Sequence, residues 1–361
     1  MIDRRDFLAA SVACAAVSIT DPLLAAVNPV AEPMEGFALV SMSQRVFKRT
    51  DDQNRLQREY WYFVLLLNSN APAKPVFETM TITYFSGGEV KRVTHFPKAS
   101  VLAMDLIQSA RAADSASQYS VAAFQIADAA ASSLQVDAVR CELTSRDANG
   151  KLKRVQFDST IDVYVQKTAL IFPFIGPGMI SQGGAWNDGH RNRSGMFAID
   201  AIGLTDMYAP MLADNDTPQS LVGWGREIIA PASGIVVVAR NDCPDQPVTG
   251  NSDPAYFVAE HPQGGDPGNH CVIDHGNGEF SMLAHFKSGS LRVAVGDKVT
   301  QGKTLGLLGN SGDTNTPHVH HQLQSAVLWT DSDALPHSYS NGPEKRHNRG
   351  EMFNAKAHRV G

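Results

Sequence analysis

The chain has 361 residues, 43% of them hydrophobic and 19% charged, with 29 glycines, 19 prolines and four cysteines. These values are ordinary for a globular protein of roughly two domains with a sizeable core. A formal net charge of −6 without any basic block excludes the electrostatic footprint of a nucleic-acid binder.

Residues 1–26 read as an address and not as part of the fold. Asp3-Arg4-Arg5-Asp6-Phe7-Leu8 precedes an Ala-rich apolar run from Ala9 to Ile19, and small residues follow at Ala25 and Ala26. A charged start, a short apolar run and a small-residue end are the parts of an export signal. The Arg-Arg-x-Phe-Leu run resembles a twin-arginine signal. It implies export to the periplasm or cell envelope, with cleavage near Ala26. The competing reading is a short membrane anchor, but the run is too short and too Ala-rich to span. Cleavage leaves Cys141, Cys243 and Cys271. Cys243 and Cys271 flank one long loop and are the better pair for a disulfide in an oxidising compartment.

Residues 27–168 predict an N-terminal antiparallel β-sandwich-like domain. Phe37–Met42 alternates loosely, and Glu59–Leu67 is a strong strand ended by Asn68-Ser69-Asn70. Val76–Phe85 and Glu89–Phe96 read as a hairpin about Gly87-Gly88. Leu134–Ser145 and Leu152–Val165 read as a second hairpin about Asp147-Ala148-Asn149-Gly150. Between them, Lys98 to Ser133 is rich in Ala and Ser. Val101–Ala113 predicts a helix, and the remainder a loop or a second helix. Tyr60, Trp61 and Tyr62 read as core and surface aromatics rather than a binding strip.

The Pro- and Gly-rich run Ala169–Gly178 reads as the crossing into a second unit, residues 169–343, followed by a polar tail at 344–361. Here short strands alternate with turns. Met196–Ile202 carries Asp200 within an apolar strand, which is costly unless the carboxylate is paired or binds a metal. Ile228–Ala239 is a turn and a buried strand. Asn241–Asn269 is a long loop of the kind that marks an insertion. His270–Glu279, Phe280–Phe286, Val295–Val299 and Gly302–Gly306 follow as turn-strand units, with Gly309-Asn310-Ser311-Gly312 as the last turn. No crossover helix interrupts them, so the sheet is expected to be antiparallel.

That turn leads into Thr316-Pro317-His318-Val319-His320-His321-Gln322-Leu323. On a strand, His318 and His320 point to one face and His321 to the other. At about 3.3 Å of rise per residue the pair stands roughly 6–7 Å apart. Both can bind one metal, or one can bind while the other faces a substrate. A catalytic zinc takes three protein ligands and leaves a fourth position open. His190, Asp200 and one of this pair would supply them. Taken singly, His190 reads as a solvated loop residue, Asp200 as a turn residue and His285 as a core histidine. His261, His275, His337, His347 and His358 read as surface.

The order of these groups resembles the lysostaphin-type, LytM-like zinc metallopeptidases of peptidase family M23. The resemblance rests on Ala230-Pro231-Ala232-Ser233-Gly234-Ile235-Val236, His275-Gly276-Asn277-Gly278, Leu283-Ala284-His285 and Val295-Gly296-Asp297-Lys298-Val299. Gly302, Gly306, Gly309, Gly312 and Pro317-His318-Val319-His320 continue it in register. It implies an all-β, duplicated-hybrid-motif-like domain that uses one Zn2+ to cut peptide cross-links of peptidoglycan. It also implies roles: His190, Asp200 and His320 as zinc ligands, His318 as general base, and His285 as the partner that holds the oxyanion. A non-catalytic domain of the same fold, regulating or binding cell-wall hydrolases, is the alternative. Two departures stand out. The family spaces its first ligands as His-x-x-x-Asp, whereas nine residues separate His190 from Asp200. Where the family commonly has Phe-Glu after the last histidine, this chain has His321-Gln322.

Overall fold

In a computed structural model the description covers residues 77–99, 101, 134–147, 149–162, 164–183, 190, 194–212, 216–257, 266–329, 332–343 and 349–356. It also covers the backbone of the strands within 32–69 and 122–131. The export signal, the predicted helix beyond Val101, His261, His347 and His358 lie outside the described residues. The chain divides into two compact units, Met1–Val163 and Tyr164–Gly361. Both are built from strands paired almost wholly antiparallel. Among the described residues no helix is long and apolar enough to cross a membrane.

The first unit contains β1 (Glu32–Pro33), β2 (Phe37–Met42), β3 (Val46–Thr50), β4 (Arg58–Ser69), β5 (Phe77–Ser86), β6 (Glu89–Phe96), β7 (Ala122–Ala131), β8 (Ala138–Arg146) and β9 (Leu152–Asp162). They connect in the order β2-β4-β3-β9-β8-β5-β6, with β1 on β9 and β7 on β4. Alternation explains the core. Phe77, Met80, Ile82 and Tyr84 of β5 and Val139, Cys141 and Leu143 of β8 bury one face. Gly87 and Gly88 take φ of 58° and 83° between the paired Ser86 and Glu89, as a tight two-residue hairpin requires. β7 corrects the reading of the Ala-rich stretch as loop or second helix. Its ten residues pair along β4, so a long strand with an open edge overrides alanine's helix preference.

The second unit contains β10 (Gly176–Gly183), β11 (Ile199–Gly203), β12 (Glu227–Ile229), β13 (Gly234–Arg240), β14 (His270–Asp274), β15 (Phe280–Ala284), β16 (Lys298–Val299), β17 (Thr304–Leu307), β18 (Val319–Gln324), β19 (Ala334–Leu335) and β20 (Met352–Ala355). The main sheet runs β16-β13-β14-β15-β18-β11-β10-β20, with β19 on β18, and β12 pairs with β17 separately. The expected polar tail therefore supplies an edge strand. β20 buries Phe353 and Ala355 while Met352 and Asn354 face out, so alternation docks it on β10 despite its polar flanks. Phe353 packs on Phe172 and Phe174, with ring centroids 4.5 and 5.9 Å away. Each such fully buried side chain contributes about 1.5–3 kcal/mol.

One sheet face carries this apolar core: Ile199 and Ala201 of β11, Val319 of β18, Leu283 of β15, Ile273 of β14. His321 also points to that face and is fully buried. It survives there because Tyr339 Oη and Ser281 Oγ contact its two nitrogens. His337, expected at the surface, is instead buried beside it, its ring nitrogens on Tyr339 Oη and the Leu335 carbonyl. His275 is half-buried, set between the Ser233 carbonyl and Ser281 Oγ. Cys141, Cys243 and Cys271 are all buried free thiols, so Cys243 and Cys271, the better candidate pair, are not bridged. Cys271 lies inside β14 in the core, and Cys243 Sγ turns to the Tyr256 carbonyl at 3.5 Å. Burial pushes the Cys271 thiol up to about 12.

A buried carboxylate anchors the entry to this unit. Glu279 accepts from Tyr164 Oη and from the Lys167 and Thr168 amides at 2.8 Å. Burial alone would raise its pKa, but the hydrogen bonds from Thr168, Tyr164 and Lys167 outweigh that and lower it. Its folded pKa lies below the unfolded one. Its contribution is therefore complete above the ordinary carboxylate value of 4.5 and fades as pH falls through the folded value. Glu279→Gln should cost about 1–3 kcal/mol at pH 7, from donors left without a charged acceptor. Denaturant titrations of variant and wild type should show that gap shrinking by pH 3. A gap equal at both pH values would refute this account.

Candidate metal centre

The sheet face opposite the core carries a small apolar cluster at Val272, Met282 and Ala284 and, beside it, a polar cleft that strand register assembles. Asp200 of β11 is the direct cross-strand partner of His320 of β18, and Ala284 of β15 flanks His320 on the other side. Apolar neighbours at Ile199, Ala201 and Val319 turn into the core, so alternation drives Asp200 and His320 out together. His190 comes from the loop before β11. Its Nε2 stands 3.2 Å from Asp200 Oδ2, while His320 Nδ1 stands 2.9 Å from Asp200 Oδ1. The nine-residue separation is thus closed by a buried turn at Ser194–Phe197, with Met196 in the core and not at the site.

His318 and His285 complete the cluster. Their ring centroids lie 4.6 Å apart, and His318 Nε2 is 3.5 Å from Asp200 Oδ1. His318 Nδ1–H donates to the Thr316 carbonyl at 2.7 Å, and His285 Nδ1–H donates to the Ser311 carbonyl at 2.8 Å. A carbonyl only accepts, so each neutral ring turns a bare Nε2 to the cleft. His285 adopts φ 64°, a strained backbone for a non-glycine residue. Two neighbours hold it: its N–H donates to Pro267 O and its carbonyl accepts from Gly309 N–H, each at 3.1 Å. Only glycine fits at 309, since a Cβ there would stand 2.2 Å from the Lys287 backbone.

Electrostatics separates these groups. Burial pushes Asp200 upward, but the charges of His190 and His318 outweigh it and hold the carboxyl well below its usual range. Burial pulls His318 down, yet the Asp200 carboxylate more than offsets this and lifts it. Burial, then the neighbouring His318 and His320, press His285 well below the ordinary histidine value. Burial also lowers His320 despite its bond to Asp200.

Potential ligand atoms of His190, Asp200 and His320 all lie within 4.8 Å of one another. His320 Nδ1 approaches Asp200 Oδ1 at 2.9 Å and His190 Nε2 approaches Oδ2 at 3.2 Å, so both imidazoles gather on the one carboxylate. One observation favours a cation there. His320 Nδ1 faces Asp200 Oδ1 while its Nε2 faces Gln322 Oε1, both at 2.9 Å. A neutral ring has one proton for two acceptors, so one contact would oppose lone pairs. His190 Nε2 is likewise turned to the carboxylate. Two nitrogens and one carboxylate oxygen are a fitting zinc donor set.

The centre lies in a cleft of about 280 Å³, also lined by Gln182, Ser252, Asp266, Asp313, Gln322 and Trp329. Ser252, Asp266 and Pro267 of the Asn241–Asn269 loop line one wall. Gln246 pins it by donating to the Gly312 carbonyl, and Ser252 Oγ donates to Asp313. None of these lining residues carries a sequence signal except Gln322, at the departure from Phe-Glu.

Residues 221–332 match the profile of peptidase family M23. The chain carries a peptidase family M23 domain. The matched stretch includes His285, His318 and His320 and begins after His190 and Asp200. Within curated proteins the chain is 30% identical over 99 residues to the peptidoglycan DD-endopeptidase ShyA of Vibrio cholerae, covering 27% of this chain and 17% of ShyA. It is 41% identical over 63 residues to endolysin 2638A of Staphylococcus phage 2638A, covering 17% of this chain and 13% of the endolysin. The chain thus spans less than a fifth of either relative. Among solved structures, the catalytic domain of the prophage-encoded M23 protein EnpA of Enterococcus faecalis aligns at 19% identity and TM-score 0.29, over 47% of this chain and 95% of that domain. The lysostaphin catalytic domain of Staphylococcus simulans aligns at 17% identity and TM-score 0.24, over 44% and 88%. The M23 domain is all-β and its main sheet is antiparallel throughout.

Proposed function

We propose that the M23 domain is an exported zinc endopeptidase that hydrolyses peptide cross-links of bacterial peptidoglycan. The observation that carries this is the convergence of five side chains on one cleft: a His190–Asp200–His320 ligand set beside two imidazoles with bare Nε2 atoms. His190, Asp200 and His320 would hold the metal. Zinc there supplies Lewis acidity and lowers the pKa of a water to about 7. His318, held by Thr316 O with its Nε2 free, takes a proton from the attacking water and returns it to the leaving amine. His285 also presents a bare Nε2 when neutral, so it donates to the oxyanion only after gaining a proton. That proton comes from solvent, because the one His318 takes goes to the leaving amine. The similarity to a peptidoglycan DD-endopeptidase supports the substrate class. The Arg4-Arg5 run supports export through the twin-arginine route.

The test pairs zinc stoichiometry with digestion of purified sacculi. The chain should bind about one zinc and release peptides whose masses identify the bond cut. Release that persists in a strong chelator would exclude the zinc mechanism. Zinc binding without release would point to the non-catalytic alternative.

A further inference from the structure

The face of β18 that carries His320 continues through Gln322 and Gln324, because alternate residues share a side. Both glutamines are buried. They form one directional chain. Gln324 Nε2 donates to the Ala326 and Val327 carbonyls at 2.8 and 3.0 Å. Backbone carbonyls only accept, so the Gln324 amide cannot turn over. Its Oε1 must then accept, and it accepts from Gln322 Nε2. This in turn commits Gln322 Oε1 to accept, and it faces His320 Nε2 at 2.9 Å. Polarity set at two backbone carbonyls is passed along the strand to the imidazole.

We infer that Gln324 and Gln322 are positioning residues that keep a proton on His320 Nε2 and so reserve Nδ1, the atom facing Asp200, for the metal. The inference rests on the metal reading proposed above. It explains the departure from Phe-Glu: an amide performs the acceptor's task in orienting the ring, without adding a second negative charge beside Asp200. The amide works only because Gln324 removes its freedom to flip. A carboxylate at 322 would need no such partner, having no donor to misplace.

The test uses the full chain labelled with 15N at histidine, together with chelator competition for zinc. In the metal-free chain His320 Nε2 should stay protonated, and on adding zinc the Nδ1 resonance should be the one that moves. Gln322→Leu should weaken zinc binding by roughly ten- to a hundred-fold. Gln324→Leu, two residues further from the ligand, should weaken it less and let both His320 tautomers appear. Gln322→Glu should bind at least as tightly as wild type and tolerate Gln324→Leu, which a merely space-filling role would not produce. A bare Nε2 on metal-free His320, zinc bound through Nε2, or unchanged zinc affinity in Gln322→Leu would each overturn the relay. The metal-free spectrum of the wild type decides even if a variant fails to fold. It also separates the two readings, because an inactive chain with Nε2–H on His320 fails the peptidase proposal and leaves the relay standing.

Discussion

His320→Ala should abolish stoichiometric zinc binding and, with it, release of peptides from sacculi. His320 is the ligand with the least freedom. Its Cα is paired directly with that of Asp200, its Nδ1 lies 2.9 Å from the carboxylate, and Gln322 holds the far side of the ring. Its removal leaves His190 and Asp200, two ligands on an already buried carboxylate. Zinc at a hundred times its dissociation constant should stabilise the wild type by about 2.7 kcal/mol. The variant should lose that zinc-dependent rise in melting temperature while its metal-free melt changes far less. A variant that still binds one zinc and melts higher with it would show that His320 is not a ligand.

His318→Ala should do the opposite: keep the metal and lose turnover. Its Nδ1–H is committed to Thr316 O, and its Nε2 stands 3.5 Å from Asp200 Oδ1, beyond the closer set made by His190 and His320. Loss of a general base typically costs 10²–10⁴-fold in rate. The variant should therefore bind zinc about as tightly as wild type, with kcat reduced by that factor and KM little changed. Loss of zinc together with activity would exchange the roles of His318 and His320. The two substitutions separate the ligand from the base only because the neighbouring residues hold the two rings differently. One is fixed through a backbone carbonyl and the other through a glutamine amide.

Some of this was readable along the chain. Strand alternation determines that His318 and His320 share a face and that His321 does not, since side chains on a strand have a period of two. An apolar strand around Asp200 determines that the carboxylate must be paired, because an unpaired buried charge is too costly. Turn glycines determine the hairpins, as at Gly87-Gly88. Other features required the tertiary structure. His190 reaches Asp200 across nine residues because the Ser194–Phe197 turn is buried, a long-range packing result with no local pattern. β20 and β7 form because open strand edges accept them, which neither polar flanks nor alanine content discloses. His337 and His321 are buried because Tyr339 and Ser281 satisfy them, and a histidine's partners are not its sequence neighbours alone. Which nitrogen of each site histidine is bare was likewise decided only in three dimensions. Hydrogen-bond polarity depends on which acceptor stands opposite each ring: Thr316 O for His318, Ser311 O for His285 and Gln322 Oε1 for His320.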